Sequence, residues 1–168
     1  MSLMSLTVVD NPADRPAWIQ ETVRLLTAGA AEGRRSLLHL VEDATDTELA
    51  AGTPDDWGVG QIAVHLLIVE RGVSLIALRL ARGEAAGNTG QPRPAPGAVT
   101  RECIRSLADN AAAAAQRLSA EFPPDPDVSR TADHPYYGPM NCFAWLLTIP
   151  NHYRAHLAAH QAGHPSAL

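Results

Sequence analysis

The sequence predicts an all-α protein, a four-helix bundle with a long connection between its second and third helices. Three observations predict it. Four segments carry apolar residues at helical steps of three, four and seven. No segment carries the alternation of a strand. The two longest connections are rich in proline and other turn-forming residues. The chain has 168 residues, enough to bury a core, and residues 1–168 read as one domain. Helices of this length extend about 30–40 Å at 1.5 Å per residue, which suits an antiparallel or mixed bundle.

The first helix covers roughly 14 to 43, where Ile19, Val23, Leu26, Ala30, Leu37 and Val41 share a stripe and Pro16 suits the first turn. The second covers roughly 57 to 82, with Ile62, Leu66, Val69, Val73, Ile76 and Leu80 in line and Asp55 or Asp56 placed to cap it. Residues 84–98, "EAAGNTGQPRPAPGA", form a linker long enough to run the length of a bundle. The third helix covers roughly 99 to 121, with Ile104, Leu107, Ala111, Ala114 and Leu118 in line and Thr100 as a cap. Residues 122–140, "FPPDPDVSRTADHPYYGPM", read as a second long irregular loop. The fourth helix covers roughly 141 to 162 and ends at Gly163 and Pro165. Leu146, Pro150, Tyr153 and Leu157 form one of its lines; Trp145, Ile149, His152 and His156 form the adjacent one. Pro150 lacks a backbone donor and crowds the preceding turn, so a kink or local break is expected over Leu146–Pro150.

Composition excludes several classes. A net charge of −5 argues against a general nucleic-acid binder. Cys103 and Cys142 have no metal or redox spacing and read as free thiols in a reducing compartment. The opening "MSLMSLTVVDNPADRP" has no secretory pattern, and the longest apolar run, "IAVHLLIV", is far short of a membrane span. A cytoplasmic protein that acts on a small molecule, without nucleic acid or membrane as partner, is expected.

The histidines carry the chemistry. His65 shares the apolar line of the second helix; alone, it reads first as a buried histidine bonded to a nearby backbone group or hydroxyl. His152 and His156 continue the inward line of Trp145 and Ile149, one helical neighbour step apart. Three inward imidazoles on two helices form a metal-site pattern. Without a carboxylate they suit zinc, nickel, copper or ferrous iron, and they leave a position open. His160 has the same spacing from His156, but it lies in the last turn, where helices fray. Two steps of four separate it from His152 by about 12 Å along the axis. His39 reads as solvent-facing, His164 as tail, and His134 as a residue that orients its loop or a ligand. Cys142, at the start of the last helix, reads as a packing residue before it reads as a nucleophile.

Two stretches resemble the DinB-like superfamily. "DWGVGQIAVHL" is similar to that family's second-helix motif, a Trp followed eight residues on by a His. "HPYYGPMNCFAWLLTIPNHYRAHLAAHQ" is similar to its last-helix motif: HP, a Gly, a Trp and a closing HxxxH. The resemblance covers about the whole chain. It implies an up-down four-helix bundle and a divalent metal held by three histidines, which fall here on His65, His152 and His156. Similar proteins in its thiol-dependent branches transfer or isomerise with mycothiol, bacillithiol or glutathione, and family members often form homodimers. The maleylpyruvate isomerases of the superfamily resemble this chain less, because their last helix tends to offer a Glu where His152 stands.

The expected function is therefore that of a metal-dependent enzyme using a low-molecular-weight thiol, as an S-transferase or isomerase, or activated water. The competing expectation is a non-catalytic metal-binding or stress-response protein with a structural or vestigial site. A third is a metal-free bundle with satisfied core histidines. No general base stands out; Glu70 lies five residues past His65, a step that turns it aside.

Overall fold

The computed structural model describes residues 14–90, 92–95, 97 and 99–163. The expectations for the leader segment 1–13, for His164 and for Pro165 lie outside them. In chain order the elements are α1 (Arg15–Asp43), α2 (Asp46–Ala50), α3 (Val59–Ala81), α4 (Arg101–Glu121), β1 (Ala132–His134), β2 (Gly138–Met140) and α5 (Cys142–Gln161). Helices α1, α3, α4 and α5 are the four the periodicity predicts. Helix α3 packs on both α4 and α5, and α1 completes the bundle chiefly against α5.

The six periodic residues of α3 are all at most 6% exposed. This helix of 23 residues is long and apolar enough to cross a membrane by length and composition, yet 72% of its most apolar window is buried inside the protein. It is the core helix of the bundle.

Four expectations need correction. The chain between α1 and α3 contains an extra helix, α2. Thr45 Oγ1 accepts from Glu48 N at 3.2 Å, and Glu48 Oε2 accepts from Thr45 N at 2.7 Å. This reciprocal cap was written in the sequence as T-x-x-E. The loop 122–140 is not wholly irregular, because β1 and β2 pair antiparallel with His134 opposite Gly138. Strands of three residues are too short to show alternation. Neither Asp55 nor Asp56 caps α3. Their amides bond Thr53 Oγ1 in a separate turn, while Gln61 Oε1 accepts from Gly58 N at 3.2 Å at the helix start. Finally, of the kink or local break expected over Leu146–Pro150, the break is absent, because α5 is one helix through Pro150. The ring has room because α1 presents Gly29 to it: a Cβ at Gly29 would stand 3.2 Å from Pro150 Cβ.

One turn further, Gly33 faces Tyr153, and a Cβ there would come within 2.5 Å of the tyrosine ring. Tyr153 thus lies directly on the α1 backbone. Its hydroxyl donates to Glu70 Oε2 at 2.7 Å, and Arg34 Nη1 donates to Glu70 Oε1. Glu70 and Tyr153 are at most 1% exposed. Burial pushes the Glu70 carboxyl above its usual range, and the bonds from Tyr153 and Arg34 oppose that rise. One carboxylate therefore ties α1, α3 and α5 together.

Glu70→Ala should destabilise the protein by about 3 kcal/mol, because it leaves Arg34 without its buried partner. Tyr153→Phe should cost about 1.5 kcal/mol through one lost bond to a charged acceptor. Gly33→Ala should cost about 2 kcal/mol by overpacking. Urea unfolding measures all three. Values below about 0.5 kcal/mol, the ordinary effect of a surface change, would show that this contact does not set the helix arrangement.

Candidate metal centre

Helix α3 contributes His65 and helix α5 contributes His152 and His156. His65 and His156 are 3% and 2% exposed; His152 is half-buried. One ring nitrogen from each lies within 4.8 Å of the others. His152 Nε2 stands 3.1 Å from His65 Nε2 and 2.8 Å from His156 Nε2. Ligand nitrogens at ~2.0–2.1 Å around a tetrahedral ion are separated by about 3.3 Å. The separations at His152 lie within about 0.5 Å of that value, and His65 and His156, within 4.8 Å of each other, would close by at most about 1.5 Å.

The His65 tautomer is fixed. Its Nδ1 donates to the carbonyl of Pro92 at 2.7 Å. The neutral ring then has its lone pair on Nε2, aimed at the other two histidines. Gln61, fully buried, donates to the carbonyls of Thr53 and Pro94, both at 3.1 Å. The connection between α3 and α4 is thus held against the start of α3 by the side chains of Gln61 and His65. Trp57 lies over the cluster, its plane within 5° of the His156 ring at 6.2 Å and its centroid 4.8 Å from His65. Its indole N–H donates to Pro54 O at 3.1 Å.

Burial, first of all, lowers the proton affinity of all three imidazoles. The neighbouring histidines add to this for His152 and His156, which fall to about 3 and about 4. At neutral pH the set is three neutral nitrogen donors.

The remaining candidates stand apart. His160 is half-buried and outside the cluster, and His39 is exposed. Glu70 is occupied by Arg34 and Tyr153. Cys142 is fully buried, and burial raises its thiol pKa, which fits a packing residue. His134 is 7% exposed, and its Nδ1 accepts from Tyr136 N at 3.2 Å.

A cavity of about 370 Å³ opens beside the cluster. Its wall combines Trp57, His65, His152 and His156 with His134, Tyr136, Tyr137 and Met140 of the hairpin and Ala144, Leu147, Thr148, Asn151 and Ala155 of α5. Sequence reasoning missed the Pro92 carbonyl, the part played by Gln61 and the hairpin aromatics. A Gln three residues after Gly58 was a legible helix-start signal for Gln61. Nothing in the sequence marked a carbonyl in a proline-rich linker as the partner of His65.

No curated protein matches this chain. A solved crystal structure of TT2238, described as a four-helix bundle protein, is similar to it, with a TM-score of 0.64 and 25% identity over 83% of this chain and 98% of that one. A family profile for the DinB superfamily matches residues 30–159, a span that runs from the middle of α1 almost to the end of α5 and contains all three clustered histidines. The chain belongs to the DinB superfamily.

Proposed function

We propose that His65, His152 and His156 hold a divalent transition metal such as zinc, nickel or iron, and that the protein is a metal-dependent enzyme acting on a small molecule. The observation that carries this reading is the convergence of three neutral ring nitrogens within 4.8 Å, one with its tautomer set by Pro92 O. Buried histidines with a structural role would be satisfied by separate partners. Here the nitrogens face one another, where without an ion they can only share protons among themselves and with one all three lone pairs can converge on it. The donor set fits a borderline-soft metal and does not fit calcium or magnesium.

A metal in such a site supplies Lewis acidity, which favours the deprotonated form of a thiol or of water. The chain's own residues narrow the choice between the two. Among the described residues, no Asp, Glu, Lys or Arg lines the cavity, so no carboxylate is at hand as a general base. Activation of a low-molecular-weight thiol, whose proton is lost more readily than that of water, is therefore the favoured chemistry over hydrolysis. His134 is the cavity residue able to exchange a hydrogen bond with a substrate. The same lack of a base favours, as second reading, a metal-binding protein without catalysis. Two unpaired thiols, Cys103 exposed and Cys142 buried, support a cytoplasmic location.

Alanine at His65, His152 or His156 should abolish stoichiometric metal binding, while His160→Ala should retain it; metal analysis of protein purified without a histidine tag decides. Loss of metal in His160→Ala with retention in His152→Ala would assign the site to His156 and His160 instead. In the metal-loaded protein, conjugation of monochlorobimane with a low-molecular-weight thiol should run faster than in His65→Ala. Equal rates for every thiol would remove the transferase reading.

The depressed imidazole pKa values predict a pH dependence of stability. The unfolded histidines bind protons near pH 6.5 and the folded ones do not. The histidine contribution is then fully present above about pH 6.5 and is lost as pH falls toward the folded values near 4. Chelator-treated protein should melt at progressively lower temperature from pH 7.5 to 5. Glu70, with its raised pKa, acts in the opposite sense, so the comparison is with His152→Gln, whose slope should be shallower. Identical slopes would show that the cluster does not resist protonation.

A further inference from the structure

We propose that the cavity beside the histidines binds a planar apolar molecule, aromatic or conjugated, which presents one electron-pair donor to the cluster. The proposal rests on the metal-site reading and names the class of molecule that shares that site.

The wall is uncharged. Among the described residues that line it there is no Asp, Glu, Lys or Arg. An ammonium carried into this space would lose its hydration and meet no opposite charge, and an anionic group would find one only at an ion held by the histidines. The rest of the wall is aromatic and aliphatic. Tyr136 and Tyr137 come from the hairpin turn and Leu147 from α5, yet all three converge on one mouth, exposed by 59%, 71% and 50%. Large apolar groups gathered from two elements around a concave opening are what a small-molecule site requires, and about 370 Å³ is within the range of such sites.

The ring geometry favours a flat ligand. Tyr137 already stacks on His134, with 4.7 Å between centroids and 26° between planes, and Trp57 lies nearly parallel to His156. The cavity is walled by ring faces. Its polar complement is small. His134 Nδ1 accepts from the Tyr136 amide, so the neutral ring carries its proton on Nε2 and offers one donor. The Thr148 hydroxyl donates to Trp145 O at 2.6 Å and can only accept from a ligand. With the Asn151 amide and the hydroxyls of Tyr136 and Tyr137, they can bond a polar edge of the ligand.

Imidazole ligands test this. Imidazole, 4-phenylimidazole and imidazole-4-acetate are titrated by calorimetry into zinc-loaded protein of measured metal content, and into chelator-treated protein followed by tryptophan fluorescence. Burying roughly 60 Å² of apolar ring corresponds to about a tenfold gain in affinity. The phenyl compound should therefore bind at least about tenfold tighter than imidazole, and in chelator-treated protein the acetate should bind no tighter than imidazole. The variant combining Tyr137→Ser with Leu147→Ser alters exposed side chains; it should lose the phenyl gain and keep its zinc. A phenyl compound no tighter than imidazole, a preference of the chelator-treated protein for the acetate, or an undiminished gain in the double variant overturns the proposal. Zinc content, read before any ligand is added, tests the metal reading separately. If zinc does not bind, the ranking in chelator-treated protein still decides whether the cavity prefers an apolar ring.

Discussion

A single buried carboxylate fixes the relation of three helices. Glu70 on α3 accepts from Tyr153 on α5 and from Arg34 on α1, with almost no access to water. Such a group is costly unless both oxygens are bonded, so a rotation of α5 that released Tyr153 would leave it under-satisfied. Tyr153 is the neighbour of His152 and lies three residues before His156. Holding its hydroxyl holds the rotation of the helix that carries both. Gly33 permits this, because only a residue without Cβ lets the tyrosine ring approach the α1 backbone so closely. The bond and the close approach together set where the imidazoles point.

The partner on α3 is held by other means. His65 donates to the carbonyl of Pro92, and Gln61, one turn earlier, donates to Thr53 and Pro94. The long connection thereby becomes part of the site. Its prolines cannot donate, so their carbonyls meet side-chain donors of α3 without competing amides of their own. The result is a single tautomer for His65, with its lone pair directed at α5.

Two faces of the same site differ in chemistry. On one side are three neutral nitrogens and Trp57; on the other is a cavity with aromatic rims and no formal charge among its described lining residues. This separation suits a reaction in which the histidine side activates a donor atom while the cavity selects its partner by shape and apolar area. It leaves proton loss to a thiol's own acidity. Cys142 and Glu70, the other reactive side chains near the helices, are committed to packing and to the three-helix tie.

The sequence by itself determined the bundle and the histidine-bearing lines. The steps of three and four in α3 and α5 place His65, His152 and His156 inward, because helical periodicity is a local property that each segment carries whatever surrounds it. T-x-x-E at Thr45 was equally local, and could have disclosed α2. Only the tertiary structure decided the rest. The close packing of Pro150 against α1 depends on Gly29 of another helix. The role of Glu70 depends on Arg34 and Tyr153, which lie 36 and 83 residues away in the chain. The partner of His65 is a backbone carbonyl, and every residue has one, so no residue type could announce it. Non-local contacts leave no period in a sequence; they exist only once the helices have packed.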